Sequence, residues 1–225
     1  MSSTIQQKSD YTFKANRNLG RHGWLRLTPA YGVKLVEKLL TSVDRESIIL
    51  DPFSGTATTG LVAAEQGYQA LTFDINPFLI WLGNAKYRNY DEYCLIDVLK
   101  KIKLAFKEYK SLISQNNWTP QIFNIERWWS SYTLKILAAL RISLVNQFGE
   151  PEENENYDLV WIGFCRLIIE TSSAAFNHIS MSFNDTTMYQ NSEGIEEIFV
   201  EIIKFMLPLR QQKIQIVLNG SLKKQ

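Results

Sequence analysis

The sequence predicts an α/β fold in which an incomplete parallel sheet is interrupted by a large helical insertion. The first observation is Ile48–Asn76, IILDPFSGTATTGLVAAEQGYQALTFDIN. An apolar run, Ile48–Leu50, ends at Asp51, and a Gly/Thr-rich turn follows. Then come an apolar-faced helix, Gly67, and a second apolar run, Ala70–Phe73, ending at Asp74. That order reads as strand, tight loop, helix, strand. The second observation is the stretch from Glu92 to about Met206, which has helical spacing throughout and is several times longer than an ordinary connection. The third is Lys213–Gly220, KIQIVLNG, where Ile214, Ile216 and Leu218 alternate with Gln215 and Val217 as a short strand reaching a polar turn.

Taken in order, Met1–Phe13 is polar and expected to be loosely held. Thr28 as N-cap and Pro29 at the first helical position predict a helix, with Val33, Val36, Leu39 and Leu40 on one face. Pro77 opens another helix, FLIWLGNAKYRNY, expected to cover the sheet, with Phe78 and Trp81 packing. Helices are then predicted over Leu95–Ile113, Trp128–Val145, Leu159–Ala175 and Ile195–Leu207, with Pro208 just past the last. The expected organisation is a ligand-binding core over residues 15–90, a helical insertion over 91–208, and a further core strand and tail over 209–225.

With 225 residues, 45% hydrophobic and 21% charged, the chain has the composition of a soluble globular protein. No apolar stretch is long enough to span a bilayer, and MSSTIQQKSD is not a signal peptide. A cytoplasmic, non-membrane protein is expected. Cys94 and Cys165 are far apart without metal-ligand spacing, so reduced thiols and no metal site are expected. The net charge is +1, unevenly spread. Leu95–Ser143 holds eight Lys/Arg against three Asp/Glu, whereas Leu144–Ile203 holds one against eleven. Basic segments beside an acidic one suit a protein with one nucleic-acid-facing side, or simply solvated helix faces.

In an open α/β sheet, ligands sit outside the carboxyl ends of the strands. Asp51 and Asp74, one crossover apart at two such ends, suit a ligand bearing an ammonium group and a ribose. Gly55 lets the backbone approach that ligand closely. The alternative is a generic dinucleotide site for NAD, but G-x-G-x-x-G is absent.

DPFSGTATTG followed by FDINP resembles the cofactor-binding half of the S-adenosylmethionine-dependent DNA amino-methyltransferases. Those enzymes carry DPF-x-G-x-G-T-T at the first strand, and an acid with Asn-Pro at the second. One departure is Ala57, which stands where the family has its second glycine. The resemblance implies an incomplete Rossmann-like methyltransferase sheet and S-adenosylmethionine as cofactor. It implies Asp51 near the methionine ammonium, Pro52, Phe53, Ser54, Gly55, Thr56 and Ala57 as a backbone cradle, and Asp74 on the ribose hydroxyls. Ile75 matches the position that lines the adenine pocket. Thr28 and Pro29 match an element contacting the methionine carboxylate, with His22 and Trp24 as looser matches; Thr28 also reads as an ordinary helix cap.

Two segments of the insertion are candidates for contact with double-stranded DNA. Asn124–Ser131, NIERWWSS, sets Arg127 beside two tryptophans, and Phe176–Asn184, FNHISMSFN, carries Asn177 and His178. Such groups suit phosphate contact and base stacking, or else core anchoring by the tryptophans and a satisfied buried histidine. The family's Asp/Asn/Ser-Pro-Pro-aromatic loop, which holds the target amino group of a flipped base, is absent. No Pro-Pro occurs, and the nearest strings are Asn76-Pro77-Phe78 and Thr28-Pro29-Ala30-Tyr31. No catalytic residue is therefore expected in this chain. The implied activity is methyl transfer to an exocyclic amino group of adenine or cytosine, within a restriction-modification system. A second polypeptide is expected to complete the sheet and supply the loop, unless the protein is a non-catalytic relic that binds DNA or a partner.

Overall fold

A computed structural model describes residues 11–27, 30–115, 117–175, 182–183, 192–207 and 217–221. The chain divides into two compact units, Met1–Tyr90 with Pro208–Gln225, and Asp91–Leu207. The first unit opens with α1 (Phe13–Asn16), a 3-10 turn (Gly20–Gly23) and α2 (Val33–Leu40). It continues through β1 (Ile48–Asp51), α3 (Thr58–Glu65), β2 (Gln69–Asp74) and α4 (Pro77–Tyr87). The second unit holds α5 (Glu92–Leu112), α6 (Ser131–Phe148), α7 (Asp158–Glu170), the short antiparallel pair β3 (Ala174–Ala175) and β4 (Ser182–Phe183), and α8 (Ser192–Met206). The chain returns to the first unit in β5 (Val217–Ser221).

β1, β2 and β5 form one parallel sheet in that order. The register pairs Asp51 with Thr72, so Asp74 lies two residues further along the neighbouring strand. The third strand was expected over Ile214–Leu218. It instead runs from Val217 to Ser221, through the predicted polar turn, because the ladder follows β2 as far as the Asp74–Ser221 pair; residues 214–216 lie outside the described residues.

Val33, Val36 and Leu40 of α2 pack with Val62, Ala63, Tyr68 and Ala70, and Val43 and Ile49 pack against that cluster. Burying an aliphatic side chain of this size stabilises by about 1.5–3 kcal/mol. Leu39, expected on the same face, is 61% exposed. The opposite side of β1 is bare: Ile48 is 56% and Leu50 62% exposed.

The helix predicted from Thr28 begins only at Val33. Tyr31 bridges Thr12 in antiparallel fashion, and the Gly32 N–H donates to the Tyr11 carbonyl at 2.7 Å, which keeps this stretch extended. The buried Asn16 side chain then takes the capping role: its Oδ1 accepts from the Val33 N–H at 2.8 Å and its Nδ2 donates to the Tyr31 carbonyl at 3.0 Å.

In the second unit, α5 buries Val98, Ile102, Ala105 and Tyr109 and packs along α6. α6 starts at Ser131 rather than Trp128 because the Ser130 hydroxyl accepts from the Thr133 N–H at 3.1 Å. α7 stops at Glu170, five residues earlier than predicted. The Thr171 hydroxyl donates to the Leu167 carbonyl at 2.8 Å and that of Ser172 to the Ile169 carbonyl at 2.7 Å, and Ser173 bonds the Arg127 carbonyl instead of continuing the helix. α7 and α8 cross closely at Gly163, where an added Cβ would lie 2.8 Å from Ile203 Cδ1. Among the described residues, no helix is long and apolar enough to cross a membrane.

Candidate functional site

The two strand-terminal carboxylates are both nearly buried, at 9% exposure for Asp51 and 8% for Asp74. Each is held by backbone at the point where its strand ends. Asp51 Oδ1 accepts from the Phe53 N–H at 3.0 Å, and Oδ2 accepts from the Tyr31 hydroxyl at 3.3 Å. Asp74 Oδ1 accepts from the Asn76 N–H at 2.9 Å, and Oδ2 accepts from the Gly55 N–H at 2.9 Å. The second acid thus holds the loop that follows the first. The Ser54 N–H adds a bond to the Phe73 carbonyl at 2.8 Å. Each carboxylate oxygen has a further lone pair available to a ligand donor.

The loop from Pro52 to Ala57 contains two left-handed residues, Gly55 at φ +50° and Ala57 at φ +66°. At Gly55 this conformation is free, and a Cβ there would point into open space, its nearest neighbour being the Phe53 carbonyl oxygen at 3.9 Å. The glycine therefore leaves room for a ligand against the backbone. Ala57 adopts the same region at a cost, as the residue before the first turn of α3. Its methyl group is fully buried beside Leu61 and Tyr87, away from solvent.

Several contributors were not identified from the sequence. Tyr31, in the near-miss string Thr28–Tyr31, joins Asp51 to the Thr59 hydroxyl, 2.6 Å away. Burial raises its pKa, the Thr59 bond opposes that, and Asp51 adds to it. Gly60 lets α3 lie against β2: an added Cβ would fall 2.3 Å from Tyr87 Oη and 2.8 Å from Thr72 Cγ2. Lys86, 1% exposed, donates from Nζ to the Thr56 carbonyl at 2.8 Å, behind the loop. Its signal was a lysine four residues after Leu82, on the buried side of an apolar helix. Arg21 donates from Nη1 to the Lys86 and Arg88 carbonyls, each at 2.6 Å, closing the C-terminal end of α4. Burial lowers its pKa to about 10, with Tyr90 and Glu65 pulling it back up, so it stays charged at neutral pH.

The other predicted positions divide. Phe53 and Ile75 flank the strand ends and stand in solvent, 80% and 62% exposed. His22 and Trp24 are buried in packing roles: His22 Nε2 lies 3.2 Å from Glu65 Oε2, and the Trp24 ring sits 6.1 Å from that of Tyr90. Thr28, Pro29, Asn177 and His178 lie outside the described residues. In the second unit Arg127 is exposed, with its guanidinium 4.4 Å from the Phe183 ring centroid. The tryptophans beside it are tethered: Trp129 Nε1 donates to the Ile168 carbonyl at 3.0 Å, and Trp128 meets Phe183 edge-on at 4.9 Å.

The arrangement is a crossover site for a ligand with donors at both ends, two buried carboxylates flanking an open glycine. These features fit a nucleoside carrying an amino-acid group. Residues 10–86 match the family model described as DNA methylase, of the N6/N4 type. The chain is 34% identical over 68 residues to the type II methyltransferase M.BsoBI of Geobacillus stearothermophilus, a match covering 29% of this chain and 13% of that protein. It is 25% identical over 172 residues to an ATP synthase lysine N-methyltransferase of Xenopus laevis, covering 69% of this chain and 70% of that protein. No solved structure matches. The amino-terminal segment therefore resembles the DNA amino-methyltransferases. The residues matched by the family model include both aspartates, the loop between the first strand and α3, and Lys86.

Proposed function

We propose that the first unit binds S-adenosylmethionine at the carboxyl ends of β1 and β2. In this reading the chain is the cofactor-binding part of a cytoplasmic DNA amino-methyltransferase of a restriction-modification system, acting on adenine or cytosine. The observation that carries the reading is the bond from the Gly55 N–H to Asp74, which ties the glycine loop to the second strand-end carboxylate. Asp51 would face the methionine ammonium, Asp74 the ribose hydroxyls, Ile75 the adenine, and residues 52–57 would cradle the cofactor, with Thr28 and Pro29 near its carboxylate. The bound cofactor supplies a sulfonium methyl open to direct displacement; the protein contributes position. The sheet resembles one side of a Rossmann-like methyltransferase sheet.

Double-stranded DNA is the proposed substrate, with Arg127, Asn177 and His178 on the surface that meets it. Arg127→Ala should lower DNA affinity and reduce its salt slope by about one, without changing cofactor affinity. A second polypeptide is proposed at β1. Among the described residues its outer edge carries no strand, and Ile48 and Leu50 stand exposed on it, where parallel strands are normally covered. The longer match to a lysine N-methyltransferase favours a second reading, in which the acceptor is a protein amino group.

Calorimetric titration with S-adenosylmethionine tests the core of the reading, and heat of binding is expected. No heat at millimolar cofactor, with or without a partner, would leave a non-catalytic relic. Labelled methyl transfer to duplex DNA, and separately to protein, distinguishes the acceptors. Co-expression with the product of the adjacent gene tests the partner, and robust DNA methylation by the isolated chain would remove it.

A further inference from the structure

Lys86 is buried to 1% exposure on α4, and its ammonium donates to the Thr56 carbonyl. Taking an ammonium out of water costs several kcal/mol unless a counter-charge offsets it. Burial lowers the Lys86 pKa to about 7, and no neighbouring carboxylate among the described residues raises it back. The acids of the surrounding elements are engaged elsewhere: Asp51 with the Phe53 N–H and Tyr31, Asp74 with the Gly55 and Asn76 N–H groups, Glu65 with His22. Arg21, the nearby cation, binds the Lys86 main-chain carbonyl and adds positive charge. Tyr87, on the same helix, has its pKa raised by burial and is neutral at working pH.

A methionine side chain would fill the same volume without this cost. What the ammonium adds is a hold on the peptide unit just ahead of left-handed Ala57, and a positive charge behind the open side of the loop. We propose that Lys86 is a positioning residue of this site, fixing the Thr56 carbonyl inward and serving as counter-charge to the carboxylate of an amino-acid-bearing nucleoside seated on the loop's outer side. The proposal rests on the cofactor reading above.

Two consequences separate it from a packing role. The unfolded chain holds the Lys86 proton up to pH 10.5, while the folded chain releases it near pH 7. Stability therefore rises with pH across that window, since the unfolded state binds more protons there. A ligand carboxylate would raise the folded pKa, so binding near pH 7 takes up protons.

The test is calorimetry on the wild-type chain and Lys86→Met with two probes, S-adenosylmethionine and 5′-methylthioadenosine, which lacks the amino-acid carboxylate. Lys86→Met should weaken S-adenosylmethionine on the order of ten-fold, leave methylthioadenosine within about two-fold, and melt no lower than wild type. Wild type should take up protons with the first probe, seen as buffer-dependent heat, and not with the second. Equal weakening of both probes, or unchanged S-adenosylmethionine affinity, overturns the proposal. If Lys86→Met does not fold, absence of proton uptake in the wild type overturns it. Failure of the wild type to bind either probe removes the cofactor reading itself, and this proposal with it.

Discussion

The two units bury different kinds of polar group. In the first, Arg21, His22, Asp51, Asp74 and Lys86 are all buried, and they tie together segments distant in sequence. In the second, the buried polar residues are mostly small hydroxyls, such as Ser143, Thr171 and Ser172, bonded to carbonyls of their own helix. Its ion pairs lie towards the surface, as at Asp97–Lys101 and Arg141–Glu150. A helical body can be built from apolar faces and caps alone. Burying charge is expensive, so the first unit's buried charges mark where stability was traded for a site.

The sharpest way to break this contrast is to disturb the packing that brings the charged groups together. Gly60→Val should destabilise the first unit by about 3 kcal/mol, because its Cβ would fall 2.3 Å from Tyr87 Oη, and the packing there has no slack for it. Urea unfolding measures the loss. An unchanged midpoint would mean that the α3–β2 approach is not fixed by this glycine.

Next in size are the carboxylates. Asp74→Ala should weaken S-adenosylmethionine by about 1–3 kcal/mol, the scale of lost charge-assisted bonds, and should loosen the Gly55 N–H as well. Asp51→Ala should act similarly. Calorimetry reads both, and intact affinity in both variants would remove the site.

How far the sequence shows this unit follows from the range of each signal. β1, β2 and their terminal acids were legible because an apolar run ending in Asp is a local pattern. The start of α2 was not: Thr28-Pro29 is a sound local cap, but Asn16 and Tyr11, many residues earlier, decide where the helix begins. Lys86, Arg21 and Gly60 were missed for the same reason, since their partners are brought near only by the crossover. In the second unit the helices were legible, while their ends shifted wherever Ser130, Thr171 or Ser172 competed for backbone groups.

Within the loop, Ala57→Gly should stabilise the protein by about 1 kcal/mol. Alanine at φ +66° bears a steric cost that glycine does not, partly offset by glycine's greater freedom when unfolded. Cofactor affinity should hold or improve slightly. A loss of stability on thermal melting would show that the buried methyl group, packed with Leu61 and Tyr87, outweighs the strain.

The smallest effect belongs to the second unit. Arg141 Nη2 and Glu150 Oε2 lie 2.8 Å apart, but their side chains are 37% and 45% exposed. Water at that exposure screens the attraction, and two long side chains lose freedom to meet, so such a pair contributes about 0–1 kcal/mol. Glu150→Gln should therefore shift the urea midpoint by less than about 0.5 kcal/mol, and raising the salt concentration should leave that difference small. The contrast between the units rests on this near-silence beside the response of the buried first-unit charges. A cost for Glu150→Gln as large as that of Gly60→Val would mean that the second unit, too, depends on placed charge rather than on apolar helix packing.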